Sequence, residues 1–195
     1  MRPDTLMGLG GHPALDFLNS RLVFHRETIE LLGDGPAYLD WLEAEHLVDA
    51  DDRAAIEAGP GLDAAARAAV ELRTSLRPVV AAWAAGAPGT PGDATLATLN
   101  GLVRAGRPWR EVVHADDGLA FRSRRAWDGP EALLAPVAEA VADLFVHGDR
   151  ALVRPCDDTT CTLWFYDTTK SRRRRWCSMA ICGNRAKVRR HRMAT

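Results

Sequence analysis

Cys156-Asp-Asp-Thr-Thr-Cys161 and Cys177-Ser-Met-Ala-Ile-Cys182-Gly-Asn-Arg185 decide how this chain is read. All four cysteines of the 195 residues fall here, as two Cys-x4-Cys pairs with fifteen residues between them. Each pair fits a tight turn, and the interval is long enough to go out and return as a hairpin. Cys156, Cys161, Cys177 and Cys182 can therefore converge on one tetrahedral Zn²⁺. Four thiolates fill the tetrahedron and leave no position for an activated water, so the zinc is expected to be structural and the chain not an enzyme. Two disulfides are the rival reading. They need an oxidising compartment, and Met1-Arg-Pro-Asp-Thr-Leu6 lacks the apolar core of an export signal. A cytoplasmic zinc protein is the expectation.

Charge divides the chain in the same place. Residues 151–195 carry eleven Lys/Arg against three Asp/Glu, a net +8, whereas residues 1–150 carry fourteen against twenty-three, a net −9. An acidic body with a basic tail is the arrangement expected when one end meets a polyanion. Zinc held by four thiolates is formally −2, which leaves the loaded tail at about +6. Some arginines should face the sulfurs and offset that charge; Arg154 and one member of Arg172–Arg175 are the candidates. No apolar run approaches the length of a membrane helix, so no membrane partner is expected.

Upstream, turn formers separate stretches of helical period. Pro13–Ser20 fits either a short helix or an extended lead-in. Gly33-Asp-Gly-Pro36 is a break, with Pro36 set for the first turn of a helix bearing Leu39, Trp41, Leu42 and Leu47. A second helix spans Asp49–Ala58. Asp63 is expected to cap the longest one, whose stripe is Val70, Leu72, Leu76, Val79, Val80 and Trp83, with Pro78 kinking or splitting it. Asp93 opens another through Leu96, Leu99, Leu102 and Val103. Ala115-Asp-Asp-Gly118 between Glu111–His114 and Leu119–Arg122 signals a β-hairpin. Pro130 to Gly148 bounds the last helix. The expected fold is mainly α with minor β: a helical N-terminal domain, residues 1–150, with one β-hairpin, then a zinc finger, residues 151–195. No linker separates them, so the finger should dock on the body.

Within the finger, Leu152-Val153 and Thr162–Asp167 read as strands around the first cysteine turn. The segment from Gly183 reads as a helix whose first turn carries the last ligand. That is the treble-clef order of elements. Lys170 and Arg172, Arg173, Arg174 and Arg175 lie at the hairpin tip and its return. Arg185, Arg189 and Arg192 share one helical face, Lys187 and Arg190 belong to the same helix as further candidate cations, and Val188 is turned away from that face toward the finger's core. These cations, on a metal-fixed scaffold, point to phosphate contacts with nucleic acid; a solvated basic surface is the plainer alternative. Asn184 either reads a base edge or holds a turn through the backbone. Trp164, Phe165, Tyr166 and Trp176 either stack on bases or form the finger's core and its dock. Asp167 and Thr168 read as a turn or capping pair and not as a catalytic group. His12, Asp16, Asn19 and His25 either line a ligand pocket or, for Asp16 and Asn19, brace a helix junction. No histidine spacing supports a second metal site.

The run Cys177-Ser-Met-Ala-Ile-Cys-Gly-Asn-Arg185, with Ala186-Lys-Val-Arg-Arg190 after it and Cys156-x4-Cys161, Phe165-x-Asp167 and Arg175-Trp176 before it, resembles the CGNR-type zinc finger. Leu15-Asp-Phe-Leu-Asn19 resembles, more loosely, the ABATE domain that usually precedes that finger; Ser20 stands where threonine is commoner. The resemblance implies a bacterial regulator of transcription induced by stress, binding DNA through the finger. The N-terminal domain would then sense a signal of unknown chemistry or form a homodimer. The alternative function is a zinc-stabilised protein-protein or RNA-binding module without sequence-specific DNA recognition.

Overall fold

Leu72, Leu76, Val80 and Trp83 recur three or four residues apart along helix α4 (Leu62–Ala84), and all four are buried. In the computed structural model, which describes residues 8–24 and 27–193, this stripe packs into one core with α7 (Ala135–His147). Val137, Val141 and Leu144 of α7 are wholly inaccessible to solvent. The core is completed by α1 (Pro13–Asn19) and α2 (Gly35–Ala44), through Phe17, Leu18, Tyr38 and Trp41. Tyr38 joins two layers by donating its hydroxyl to the Leu133 carbonyl at 2.9 Å.

The caps follow local chemistry. Asp34 accepts the Ala37 N–H at the start of α2, where Pro36 occupies the first turn. Asp49 and Asp52 form a reciprocal capping box at the start of α3 (Ala50–Glu57). After α5 (Asp93–Ala105), β3 (Trp109–Ala115) and β4 (Gly118–Arg124) pair antiparallel, with Ala115 opposite Gly118 across the expected turn.

Four local expectations need correction. Pro78 does not split α4, because the bond it removes lies on the exposed side, where water can serve the freed carbonyl. Asp63 is not the cap of α4. Gly61, at φ +97°, holds that position, and the Asp63 carboxylate accepts the Gly35 N–H at 2.9 Å, tying the starts of α4 and α2 together. The last body helix is two pieces, α6 (Pro130–Leu133) and α7, and Pro136 in the first turn of α7 accounts for the break. Leu47 lies beyond α2, which ends before His46 takes φ +57°. A further hairpin, β1 (Arg21–Phe24) with β2 (Glu27–Glu30), follows α1 directly.

The finger begins with β5 (Val153–Pro155) and β6 (Trp164–Tyr166), antiparallel with Val153 opposite Tyr166. A π-helical turn at Met179–Gly183 leads into α8 (Asn184–Met193). The finger is seated on α1. Asn19 donates Nδ2–H to the Trp164 carbonyl at 2.8 Å and accepts the Trp164 N–H at 2.9 Å, and Tyr166 donates its N–H to the Gly10 carbonyl at 2.7 Å. The finger's small core of Leu163 and Phe165 beside the cysteines is completed by Leu22 from β1 and Ile29 from β2. The docking expected from the absence of a linker is present. Among the described residues, no helix is long and apolar enough to cross a membrane.

Candidate metal centre and basic surface

The first cysteine turn is built by its own backbone and by Asp158. Cys156 donates its N–H to the Leu163 carbonyl at 2.9 Å, and Cys161 donates to the Asp158 carbonyl at 2.8 Å, which folds Cys156–Cys161 into a knuckle between β5 and β6. The second pair spans the π-helical turn. Ser178 caps it by accepting the Ile181 N–H on its side chain, and its carbonyl accepts the N–H of Cys182. The four sulfurs of Cys156, Cys161, Cys177 and Cys182 all lie within 4.8 Å of one another.

The spacing tests the donor set. Cys161 and Cys177 sulfurs are 3.8 Å apart, and Cys177 and Cys182 sulfurs are 3.6 Å apart. A tetrahedron with zinc–sulfur bonds of about 2.3 Å has edges of about 3.8 Å. A disulfide would need about 2.05 Å. The cysteines are unpaired thiols set at the distances of a zinc site, and the rival disulfide reading fails on geometry. Four sulfurs this close repel one another as thiolates, so they cannot all ionise without a cation among them. Zn²⁺ supplies it. The chain carries one structural zinc site.

Asp158 organises the approach to the metal, and sequence reasoning missed it. Its side chain is buried, 2% exposed, and it accepts from Arg189 Nη2 at 2.7 Å and from the Thr160 N–H and hydroxyl at 3.1 and 3.0 Å. Arg185 Nε lies 2.8 Å from its other oxygen, an ion pair without hydrogen-bond alignment. Burial opposes ionisation of Asp158, but the Arg189 and Thr160 bonds and the Arg185 charge outweigh it, and the carboxyl stays below its ordinary range. Arg185 also donates Nη2–H to the Cys182 sulfur at 3.2 Å. The arginine facing the zinc ligands is therefore Arg185. Arg154, expected there, instead lies 3.8 Å from the buried Asp167 carboxylate. A signal existed: Asp158 is two residues after a ligand, and Arg185 and Arg189 stand four apart, the spacing at which one helix face meets one carboxylate.

The basic residues divide into engaged and free. Arg174 lies over the Phe165 ring, 4.4 Å from its centroid, and donates to the Trp176, Cys177 and Leu9 carbonyls. It is a structural strut. Arg189 adds a bond to the Thr159 hydroxyl at 2.8 Å. Arg172 pairs with Asp149 at 3.7 Å, and Arg175 pairs with Asp157 at 2.6 Å while stacking on Trp176. Lys170, Arg173, Lys187, Arg190 and Arg192 are exposed and have no ion-pair or hydrogen-bond partner among the described residues. Val188 is 52% exposed rather than turned inward, because α8 meets the knuckle through Arg185 and Arg189.

The remaining candidates have local roles. Phe165 is fully buried, Trp164 and Tyr166 pack against the body core, and the Tyr166 hydroxyl accepts the Asp149 N–H at 2.7 Å. These aromatics are core and dock. Asn184 donates Nδ2–H to the Ala180 carbonyl at 3.1 Å, which holds the π-helical turn. Asp167 accepts from the Thr169 and Arg174 N–H groups and forms the expected turn. His12 caps α1 through Nδ1 and lies 3.3 Å from Asp143; Asp16 accepts the Gly10 N–H at 2.7 Å. Asp16 and Asn19 are braces, as one of the two readings has it, and His12 and Asp16 also border an open cavity with Pro13, Glu45 and His46, as the other reading has it for those two; His25 lies outside the described residues.

Residues 153–194 match the CGNR zinc finger. Residues 11–148 match ABATE, the family described as "Putative stress-induced transcription regulator". No curated protein is significantly similar to the chain. The ABATE match covers most of the body and well over half of the sequence, and the finger match covers all four cysteines. The chain belongs to the ABATE family and carries a CGNR zinc finger at its C-terminal end.

Proposed function

We propose that this protein is a DNA-binding regulator of transcription that acts in the cytoplasm under stress and grips duplex phosphates with its zinc-built finger. One observation carries the reading. Lys170, Arg173, Lys187, Arg190 and Arg192 are exposed and without partners among the described residues, on a scaffold fixed by metal and by the body. By the helical period, Lys187 and Arg190 lie on the side of α8 opposite Arg185 and Arg189, so the inward arginines secure the helix while the outward cations stay available. Arg172 and Arg175, each in one exposed ion pair, flank this set.

The body, at −9, repels DNA and confines the contact to the finger. A cysteine knuckle between two strands, then a second pair leading into a helix, supports a treble-clef reading of the finger. The zinc, with four sulfur ligands, has a scaffold role and no catalytic one. Homodimerisation is assigned to the outer face of the β3–β4 hairpin, where Val112, Leu119 and Phe121 are 59%, 70% and 64% exposed.

The test is fluorescence anisotropy of a labelled duplex with zinc-loaded protein across a salt series. Four or five phosphate contacts give log K falling with log salt at a slope of roughly −4. Removal of zinc abolishes binding. Absence of binding at low salt rejects the proposal in favour of a protein-interaction module, and a preference for single-stranded RNA redirects it to RNA.

A further inference from the structure

A cavity of about 530 Å³ lies where the body meets the finger, between β1, α4 and the segment Thr162–Trp164. Its size is that of a small-molecule pocket, for which roughly 300–1,000 Å³ is usual. Its wall is apolar: Leu18, Leu22, Pro78, Ala81 and Trp164. Three guanidinium groups, of Arg21, Arg73 and Arg77, also border it.

These three cations are not equivalent. Arg73 is 3% exposed and fully used: it grips Glu30 with two bonds of 2.6 and 2.5 Å and donates to the Ser20 hydroxyl at 2.8 Å. Arg77 is half-buried and meets only neutral oxygens, the Leu18 carbonyl at 2.8 Å and the Thr162 carbonyl at 2.5 Å. Arg21 stands opposite Glu30 in the β1–β2 register and forms no ion pair among the described residues. Glu30 thus pairs with Arg73 and also lies in the field of the exposed Arg21, whereas Arg77 has no carboxylate partner among the described residues, and no Asp or Glu lines the cavity that the three arginines border. Burial, and the Arg73 charge next to it, lower the Arg77 pKa, the sign of a cation short of a counter-ion.

We propose that this cavity binds a small organic anion, with its apolar portion against Leu18, Leu22, Ala81 and Trp164 and its acidic group on Arg77 and Arg21. A guanidinium offers the planar fork that a carboxylate or sulfonate accepts. A bare phosphodiester would leave the apolar wall unused, so the ligand is an amphiphilic acid and not nucleic acid. The site is wired to the finger: Arg77 holds the Thr162 carbonyl next to Cys161, and Trp164 is the residue Asn19 anchors. An anion that draws on Arg77 would act on the strand leading out of the metal knuckle. That role as a regulatory input rests on the DNA-binding reading; the site itself does not, and its test uses no DNA.

Calorimetry on the full zinc-loaded chain compares 2-naphthoate with its neutral counterpart, 2-naphthylmethanol. The acid should bind at least about tenfold more tightly than the alcohol. Arg77→Met should remove that preference, and because Arg77 also holds two carbonyls, Arg21→Gln and Ala81→Leu are tested beside it. Arg21→Gln should weaken the acid several-fold and leave the alcohol unchanged, whereas Ala81→Leu should weaken both by filling the cavity. Val146→Ser, at an exposed position of α7, should change neither. Equal affinities for acid and alcohol, no binding at millimolar probe, or affinities indifferent to Arg21→Gln and Ala81→Leu would each overturn the proposal.

Discussion

Asn19 and Trp164, 145 residues apart, exchange two hydrogen bonds, the Asn19 amide pairing with both backbone groups of Trp164 as a neighbouring strand would. Asn19 ends α1, the most deeply buried helix of the body, and Trp164 begins β6 of the finger. The amide therefore substitutes for a β-ladder rung and fixes the two parts edge to edge. Asn19→Ala leaves the Trp164 N–H and carbonyl without these partners, at roughly 1–3 kcal/mol for each group that stays unsatisfied. Urea unfolding of the zinc-loaded variant should show a loss on the order of 2–4 kcal/mol. A loss below about 0.5 kcal/mol would mean water replaces the amide and the rung is ornamental.

Zinc should report beyond the finger. Leu22 and Ile29 of the first hairpin pack on the cysteine cluster, so the metal holds body residues as well. Elemental analysis should give one zinc per chain, and Cys177→Ala should give none, since three sulfurs remain at a four-sulfur site. In that variant the helical core around α4 and α7 persists, while proteolysis opens both the finger and the β1–β2 hairpin. Intact protection of the hairpin without metal would show the finger to be an independent unit.

Leu76 lies 2% exposed in the middle of α4, against the core shared with α7. Leu76→Ala removes three buried carbons and should cost about 2–5 kcal/mol. A thermal melt unchanged by the substitution would mean that the stripe does not bear the core.

The sequence made part of this legible and hid the rest for identifiable reasons. Cysteine spacing is local information, so the knuckle, the second pair and the following helix could be read directly. Helical period likewise exposed Leu72, Leu76 and Trp83 as one face. Arg73 was invisible in that stripe because its phase is apolar: it stands between Ala69 and Leu76, and only its partner Glu30, 43 residues away, makes it a core residue. The β1–β2 hairpin was missed because two four-residue strands carry too few positions for alternation to register. Arg174 looked like one of four equivalent cations in a run, yet its contacts are with backbone carbonyls and an aromatic ring that no local pattern brings near.

Asp16 should give the fold a pH dependence of unusual sign. Burial, and then the nearby Glu45 charge, push its carboxyl from 3.8 up to about 7, against the bonds from Gly10, His12 and Gly11. A raised carboxyl pKa means the fold prefers the protonated form. The contribution is therefore complete below about pH 4 and is lost as pH rises through about 7. Asp16→Asn keeps an acceptor for the Gly10 N–H without a charge. The stability difference, wild type minus variant, should fall by on the order of 1–3 kcal/mol between about pH 5 and 8. A flat difference would contradict the assignment.

The division between inward and outward cations is tested through phosphate. Asp158 holds Arg185 and Arg189, whereas Lys187 and Arg190 have no partner among the described residues. The deciding measurement is a salt titration of zinc-loaded protein on duplex DNA, wild type beside the Lys187→Ala/Arg190→Ala double variant. The double variant should bind all duplexes more weakly, with the slope of log K against log salt flattened by about two units and zinc retained. Equal affinity and equal slope for the two proteins would contradict that division.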